Sequence, residues 1–239
     1  MLRVTLLRRC VSEGVGTGLL LAAIVGSGIM GERLSGGNVA VALLANTLAT
    51  GATLVALILT FGSISGAHFN PVVTLSDASM HGISWRDVPG YIAAQVVGAF
   101  VGVAAAHLMF GEPIFSASQH VRAGVSQWFS EFIATFGLLA VIWGCVRLRS
   151  SAVPFAVGAY ITGAYWFTAS TSFANPAVTL ARAASDTFAG IRPSDVPGFI
   201  GAQCVGAAAA TLLFHWLLPS LRKDASAVVV PHPEERART

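Results

Sequence analysis

The feature that most constrains the fold of this 239-residue chain is a set of six apolar runs, each close to the length that crosses a lipid bilayer. They lie at 11–30, 39–61, 88–110, 125–146, 152–169 and 196–218. A membrane-spanning helix needs about 20 such residues. Only 10% of the residues are charged, whereas a soluble domain carries roughly 25%. The sequence therefore predicts an all-α membrane protein with six transmembrane helices, and it leaves no room for a separate catalytic domain.

Basic residues in the short polar intervals indicate how the chain is oriented in the bilayer. With the amino terminus inside, ten of the 14 Lys and Arg residues are cytoplasmic, and the other four are Arg33, Arg122, Arg182 and Arg192. This asymmetry predicts that both termini are cytoplasmic. The expected organisation is a cytoplasmic flank at 1–10, a membrane domain at 11–218 and a flexible cytoplasmic tail at 219–239. The scattered arginines do not form a patch for nucleic acid.

An internal repeat divides the membrane domain into two halves, at about 11–110 and 125–218. The string Asn-Pro-x-Val-Thr-Leu occurs at 70–75 and again at 175–180, each time in an interval too short and too interrupted to span the bilayer. Each half contains three spans, an odd number, so the two halves enter the membrane from opposite sides. In proteins with such inverted repeats, the short interrupted segments mark the translocation site.

Each Asn-Pro pair is a signal for the start of a helix. Asn is a preferred N-cap, and Pro at the first helical position loses no hydrogen bond that the helix needs. Two half-helices are therefore expected to begin at the middle of the membrane. The capping oxygen of each asparagine is used by its own helix, which leaves the amide NH2 as a donor to a solute. The predicted pore midplane consists of Asn70, Pro71, Val72, Asn175, Pro176 and Ala177.

The backbone that precedes each asparagine is expected to be non-helical. At this depth, irregular backbone persists only where it is buried in protein or lines a wet cavity. Its carbonyl groups would accept hydrogen bonds from hydroxyl-bearing solutes, and the residues concerned are Gly66, Ala67, His68, Thr171, Ser172 and Phe173. The half-helix N-termini carry about half a positive charge each. These features favour uncharged polar solutes and oppose sodium ions and protons.

The paired Asn-Pro motifs, the string Ser-Gly-Ala-His-Phe-Asn-Pro at 65–71 and the glutamates of the first and fourth spans resemble the aquaporin and aquaglyceroporin (major intrinsic protein) family. The resemblance covers about residues 12–218. It implies six spans with two re-entrant half-helices, and homotetramers in the cell (inner) membrane with one pore per subunit. It also implies a passive channel for small neutral solutes, with no cofactor and no enzymatic activity.

The two intramembrane glutamates, Glu13 and Glu131, have two interpretations. Burying a carboxylate in the membrane is costly, so such a residue is expected to have a function. The resemblance implies that each accepts hydrogen bonds from its re-entrant loop and braces it. The alternative is that one of them couples transport to protons.

The family resemblance also implies an unusual selectivity filter. In the family an arginine normally lies three residues after the second asparagine, and here that position is Val178. The other filter positions, carried over by spacing, are Thr50, Gly163 and Ser172. These residues imply a wide, uncharged constriction that admits glycerol, urea or neutral metalloid hydroxy acids, together with water. Arg182, one turn beyond Val178, is expected in the outer vestibule with its charge in water; the alternative is that it partly restores the missing filter charge.

Three other functions stay open at the level of the sequence. They are a proton-coupled secondary transporter, a water-selective aquaporin and a membrane scaffold with a closed pore. No cluster of His, Cys, Asp or Glu has the spacing of a metal site, and the three cysteines lie in unrelated segments.

Overall fold

The chain forms eight α-helices, as seen in a computed structural model that describes residues 4–148 and 150–218. They are α1 (Leu6–Leu34), α2 (Val39–Ser65), α3 (Pro71–Ser79), α4 (Val88–Phe110), α5 (Val125–Leu148), α6 (Val153–Phe167), α7 (Pro176–Arg182) and α8 (Val196–Leu217). Short 3-10 turns precede α6 and α8, and the described part of the chain contains no strand. The tail predicted at 219–239 lies outside the described residues.

The six predicted spans are all helical, and α3 and α7 are the two short half-helices. Five helices are long and apolar enough to cross a membrane by length and composition. The sixth, α6, has 15 residues, about 22 Å of helix. It is shorter than the predicted run because Thr168 adopts an extended conformation at its end.

The two repeats pack in the same way. Helix α1 contacts α2 and α4 in the first half, and α5 contacts α6 and α8 in the second. Contacts between α2 and α6 and between α3 and α7 join the halves. The half-helices are thereby held between two three-helix layers, with their N-terminal ends directed at each other.

Glycines allow α1 and α4 to approach closely. A Cβ atom built on Gly98 would lie 2.1 Å from the carbonyl oxygen of Gly14, and one on Gly102 would lie 2.1 Å from that of Gly18. Small residues at helix interfaces give this kind of backbone contact in membranes. The closeness matters for the site because α1 carries Glu13, which must reach the first re-entrant loop.

This packing predicts that Gly98→Ala destabilises the protein. The added methyl group would meet the backbone of α1, and overpacking of this kind costs about 1–3 kcal/mol. Gly201→Ala on α8 is the matched control, since a Cβ there meets no atom within 4 Å. Reversible unfolding in mixed micelles gives the free energy of unfolding of both variants. Equal stability of the two would contradict the proposed contact.

Candidate functional site

A cavity of about 400 Å³ lies between the two halves of the protein. Helix α2 lines it from Thr50 to Ser63, a distance of about 20 Å along the helix. Helix α6 and both segments that precede the half-helices complete the wall. The cavity therefore follows the membrane-crossing direction and passes the point where the half-helices meet.

Both asparagines cap their half-helices as predicted. The Oδ1 atom of Asn70 accepts a hydrogen bond from the backbone of Val72 at 3.1 Å. That of Asn175 accepts from Ala177 at 3.0 Å and from Val178 at 3.3 Å. In each case a proline occupies the first helical position. The local cap chemistry thus fixes where each half-helix begins.

The asparagine amides also join the two halves to each other, which the sequence did not predict. Asn70 Nδ2 donates to the carbonyl of Ala174 at 2.8 Å, and Asn175 Nδ2 donates to that of Phe69 at 2.7 Å. A primary amide has two N–H groups, so this contact uses one of them. Both asparagines line the cavity, and the second N–H group remains for a solute.

The other predicted midplane residues lie behind the asparagines. Pro71, Val72, Pro176 and Ala177 are buried and do not belong to the cavity wall. The first half-helix instead contributes Val73 to the wall. Of the six residues predicted at the midplane, the cavity wall thus includes Asn70 and Asn175.

The segments before the half-helices have strained backbone. Left-handed φ angles of 48–60° occur at Ala67, Phe69, Thr171, Ser172 and Ala174. Such angles cost a residue with a side chain roughly 1–3 kcal/mol. Five of the six predicted carbonyl residues line the cavity, and Thr171 does not. A strained segment of this kind persists only if its surroundings fix it.

Glu13 provides this support in the first half. It is fully buried, and its carboxylate accepts hydrogen bonds from the backbone N–H groups of His68 at 3.0 Å and Phe69 at 2.7 Å. Ser65 Oγ and Gln95 Nε2 donate to it as well, at 2.6 and 2.8 Å. The carboxylate therefore satisfies the backbone donors of the non-helical loop.

Glu131 occupies the equivalent place in the second half. It accepts from the backbone of Phe173 and Ala174, both at 2.8 Å, and from Gln203 Nε2 at 2.7 Å. Neither glutamate belongs to the cavity wall. Their hydrogen bonds match the bracing role.

Three of the four carried-over filter positions lie in the cavity wall, and one does not. Thr50, Ser172 and Val178 line the cavity, whereas Gly163 is on the exposed face of α6. The α6 residues that line the cavity are Val153, Pro154, Val157, Ile161 and Tyr165. Gly163 is two residues from both Ile161 and Tyr165, which turns it about 200° away from the cavity. On α6, the residues on either side of Gly163, Ile161 and Tyr165, line the cavity in its place.

Tyr165 was missed by sequence reasoning. Its hydroxyl oxygen lies 3.3 Å from Thr50 Oγ1, so it joins the α2 and α6 sides of the wall. Four of the five cavity-lining residues of α6 are spaced four apart, namely Val153, Val157, Ile161 and Tyr165, but this helix is apolar all round. No polar face marked which of its residues point inward.

Arg182 departs from the expected position in the water of the vestibule. It is only 1% exposed and lines the cavity. Its guanidinium carbon lies 3.4 Å from the centroid of the Phe173 ring, within the range of a cation–π contact. Its Nε–H donates to the carbonyl of Ala189. Helical side chains lean toward the N-terminus, which carries this one back along the pore.

Arg122 is a second buried arginine at the same end of the cavity. It belongs to the segment between α4 and α5 and is 8% exposed. Its guanidinium donates to the carbonyls of Gly190 and Ser170, at 2.8 and 3.1 Å. Burial lowers the pKa of Arg122 to about 10, so the group remains charged at neutral pH. The flanking sequence does not distinguish it from a surface arginine.

His68 both lines the cavity and contacts the first half-helix. Its Nδ1 lies 3.1 Å from Thr74 Oγ1, and its Nε2 lies 3.5 Å from an Asp77 carboxylate oxygen. His68 therefore lines the cavity and also holds its loop against the half-helix.

The bracing role predicts that Glu131→Gln destabilises the fold. One carboxylate oxygen would become an NH2 group that faces a backbone N–H, and an unsatisfied buried donor costs about 1–3 kcal/mol. Glu112→Gln is the control, because it removes only an exposed pair with Arg33, worth at most about 1 kcal/mol. Thermal unfolding in detergent measures both. If Glu131→Gln melts like Glu112→Gln, the bracing role is wrong.

Known proteins share this arrangement. The family model described as major intrinsic protein matches residues 1–163. The chain is 55% identical to aquaglyceroporin AqpS of Rhizobium meliloti over 217 residues, which cover 91% of this chain and 93% of the relative. It is 36% identical to aquaporin NIP6-1 of Arabidopsis thaliana over 141 residues, 58% of this chain and 45% of that relative.

A solved structure shows the same fold. The X-ray structure of the aquaglyceroporin from Plasmodium falciparum superimposes with a TM-score of 0.73 at 21% identity, covering 91% of this chain and 99% of that one. Together with the cavity and its two capped half-helices, these relations assign both fold and function. The chain belongs to the major intrinsic protein family and is a passive channel for small neutral solutes such as glycerol.

Proposed function

We propose that this channel has a wide constriction that conducts neutral hydroxylated solutes larger than glycerol. The observation that carries the proposal is Val178, a buried, uncharged side chain in the cavity wall at the position where a filter arginine is normal. Neutral metalloid hydroxy acids and urea fall within the same solute class. Water passes the same opening.

The chemistry of the wall supports this solute class. Thr50, Tyr165 and Ser172, which carry hydroxyl groups, line the cavity together with the apolar residues Ile161 and Val178. A polyol or hydroxy acid can bond to the hydroxyl groups while its carbon side meets the apolar ones. The Tyr165 ring takes up space in the cavity, as a bulky residue of a water-selective filter would. Its contact with Thr50 holds the ring at the wall. Because neither Glu13 nor Glu131 lines the cavity, passive diffusion is favoured over proton coupling.

We further propose that Asn70 and Asn175, the cavity-lining loop residues and the three cavity-lining filter positions form the conduction path in an inner-membrane homotetramer. Pro71, Val72, Pro176 and Ala177 pack behind the asparagines at the midplane. Hydrophobic side chains exposed on the outer helix faces, such as Leu48, Phe155 and Trp166, suit contact with lipid or a neighbouring subunit. The tetramer itself follows from the family resemblance. Both termini are placed in the cytoplasm because of the uneven distribution of basic residues.

Cysteine labelling tests this orientation. Ser118 is fully buried and unsuitable as a probe, whereas Ala123 in the same segment is exposed. We expect a membrane-impermeant thiol reagent to label Ala123→Cys in intact cells, in a background without the three native cysteines. Ser84→Cys, exposed between α3 and α4, should be protected until the cells are opened. The reverse pattern would invert the topology.

The width of the constriction is tested by Val178→Arg. A guanidinium at this position would occupy the opening, so flux of a six-carbon polyol should fall by at least about tenfold while water flux changes by less than about threefold. Stopped-flow light scattering of vesicles containing the purified protein measures both, over polyols of increasing length.

Val178→Met is the matched control for this test, because it adds length without charge or strong hydrogen bonds. It should lower the flux of the larger polyols less than the arginine does. An unchanged size cutoff in Val178→Arg would show that the narrowest point lies elsewhere. Failure of the wild-type protein to conduct any polyol larger than glycerol would refute the proposed width.

A further inference from the structure

Two buried arginines lie at one end of the cavity. Arg182 and Arg122 are 1% and 8% exposed. The ion pairs between described residues include neither of them. Burying an unpaired charge is costly, and an ionisable residue within a membrane protein marks a pathway or a binding site. The Arg122 guanidinium donates to backbone carbonyl groups. Of the two arginines, Arg182 is the one that lines the cavity.

Arg182 is held in a fixed position. Its Nε–H donates to Ala189, and its planar head lies over Phe173. The Phe173 ring packs edge to face against Phe199, with centroids 5.2 Å apart, and its backbone N–H is bonded to Glu131. The guanidinium is therefore preorganised by the same loop that Glu131 braces.

Two polar atoms at this end of the cavity have no hydrogen-bond partner. They are Nη1 of Arg182 and Oγ of Ser172, both buried, and both residues line the cavity. Buried polar atoms are almost always hydrogen-bonded, so an unsatisfied one requires an explanation. An oxygen atom of a passing solute can accept from each of these groups.

The internal repeat shows that this geometry is built into the fold. Arg182 follows Asn175 by seven residues and contacts Phe173, two residues before that asparagine. In the first half, the equivalent Asp77 contacts the equivalent His68. In both halves, the backbone thus brings the seventh residue after the asparagine back to the loop that precedes the asparagine. The identity of that residue determines which charge lies there.

We propose that Arg182 is a specificity-determining residue that supplies the positive charge and a solute-binding donor at this end of the pore, in place of an arginine at position 178. Charge and width are then set by different residues. The Cα atom of Arg182 lies about 6 Å along the helix from that of Val178. Its guanidinium is held against Phe173, so its charge opposes cations while Val178 lines the opening. The statement that Arg182 sets the charge while Val178 sets the width rests on the proposed wide constriction. The barrier that the Arg182 charge forms against cations does not rest on that width.

The ligand of this site is a neutral solute with a carbonyl, hydroxyl or oxo oxygen. Arg182 Nη1 and Ser172 Oγ can both donate to such an oxygen. A cation receives no acceptor from the guanidinium and meets its charge directly. The site therefore selects for acceptor oxygens as well as against positive charge.

Vesicles containing the purified full-length protein test the proposal through Arg182→Met, which keeps length and removes charge. We expect the passive leak of protons and potassium ions, followed with a pH dye and a potential dye, to rise at least about tenfold. Glycerol flux should change less than about threefold. Arg182→Lys keeps the charge and should retain most of the cation barrier.

Arg33→Met is the matched control, since Arg33 is an exposed arginine paired with Glu112. It removes the same charge from the protein without touching the cavity, and both leak and glycerol flux should equal those of wild type. In the double variant Val178→Arg, Arg182→Val, the guanidinium moves back by one turn. This variant should keep the leak low and lose flux of the larger polyols.

The proposal is overturned if Arg182→Met leaks no more than Arg33→Met while conducting glycerol normally. It is also overturned if Arg182→Lys leaks as much as Arg182→Met. If Arg182→Met fails to fold, Arg182→Gln is used instead. Its cation leak is then compared with that of Arg33→Met, and equal leaks overturn the proposal. A wild-type protein that conducts no polyol beyond glycerol refutes only the wide constriction, because the leak comparison does not depend on solute size.

Discussion

Two buried carboxylates make the non-helical centre of this membrane protein stable. Irregular backbone within a bilayer has donors that lipid cannot satisfy. Glu13 and Glu131 each accept from two consecutive N–H groups of such a segment. Gln95 and Gln203 hold the carboxylates and also donate to Thr74 and Thr179, at 2.9 Å in both halves. The strained loops, the half-helices and the cavity between them all depend on these contacts.

The asparagines add a second constraint, which joins the two repeats. Each amide caps its own half-helix and donates to the carbonyl that precedes the other asparagine. A shift of one half-helix would therefore break a bond belonging to the other. This reciprocity fixes the depth at which the half-helices meet, and so the position of the remaining amide N–H groups in the pore.

Local rules made most of the fold predictable. The spans follow from hydropathy, and the half-helix starts follow from the cap chemistry of Asn70 and Asn175. The side-chain directions on α6 were not predictable, because a helix that is apolar all round has no polar face to orient it. Spacing carried over from the family gave Gly163 as the filter residue of α6, whereas its neighbours Ile161 and Tyr165 line the cavity. The place of Arg122 depends on carbonyl groups 48 and 68 residues away in the chain, and no local pattern encodes such contacts.

Arg182 shows how the same fold can carry opposite charges at its two ends. The seventh residue after each asparagine returns to the loop, where Asp77 meets an imidazole and Arg182 meets a phenyl ring. An aspartate is too short to enter the cavity wall from this position, and the longer arginine enters it. Side-chain length therefore decides which end of the pore presents a charge to the solute. Because the backbone position is set by the repeat, a single substitution there can change ion exclusion without rebuilding the constriction.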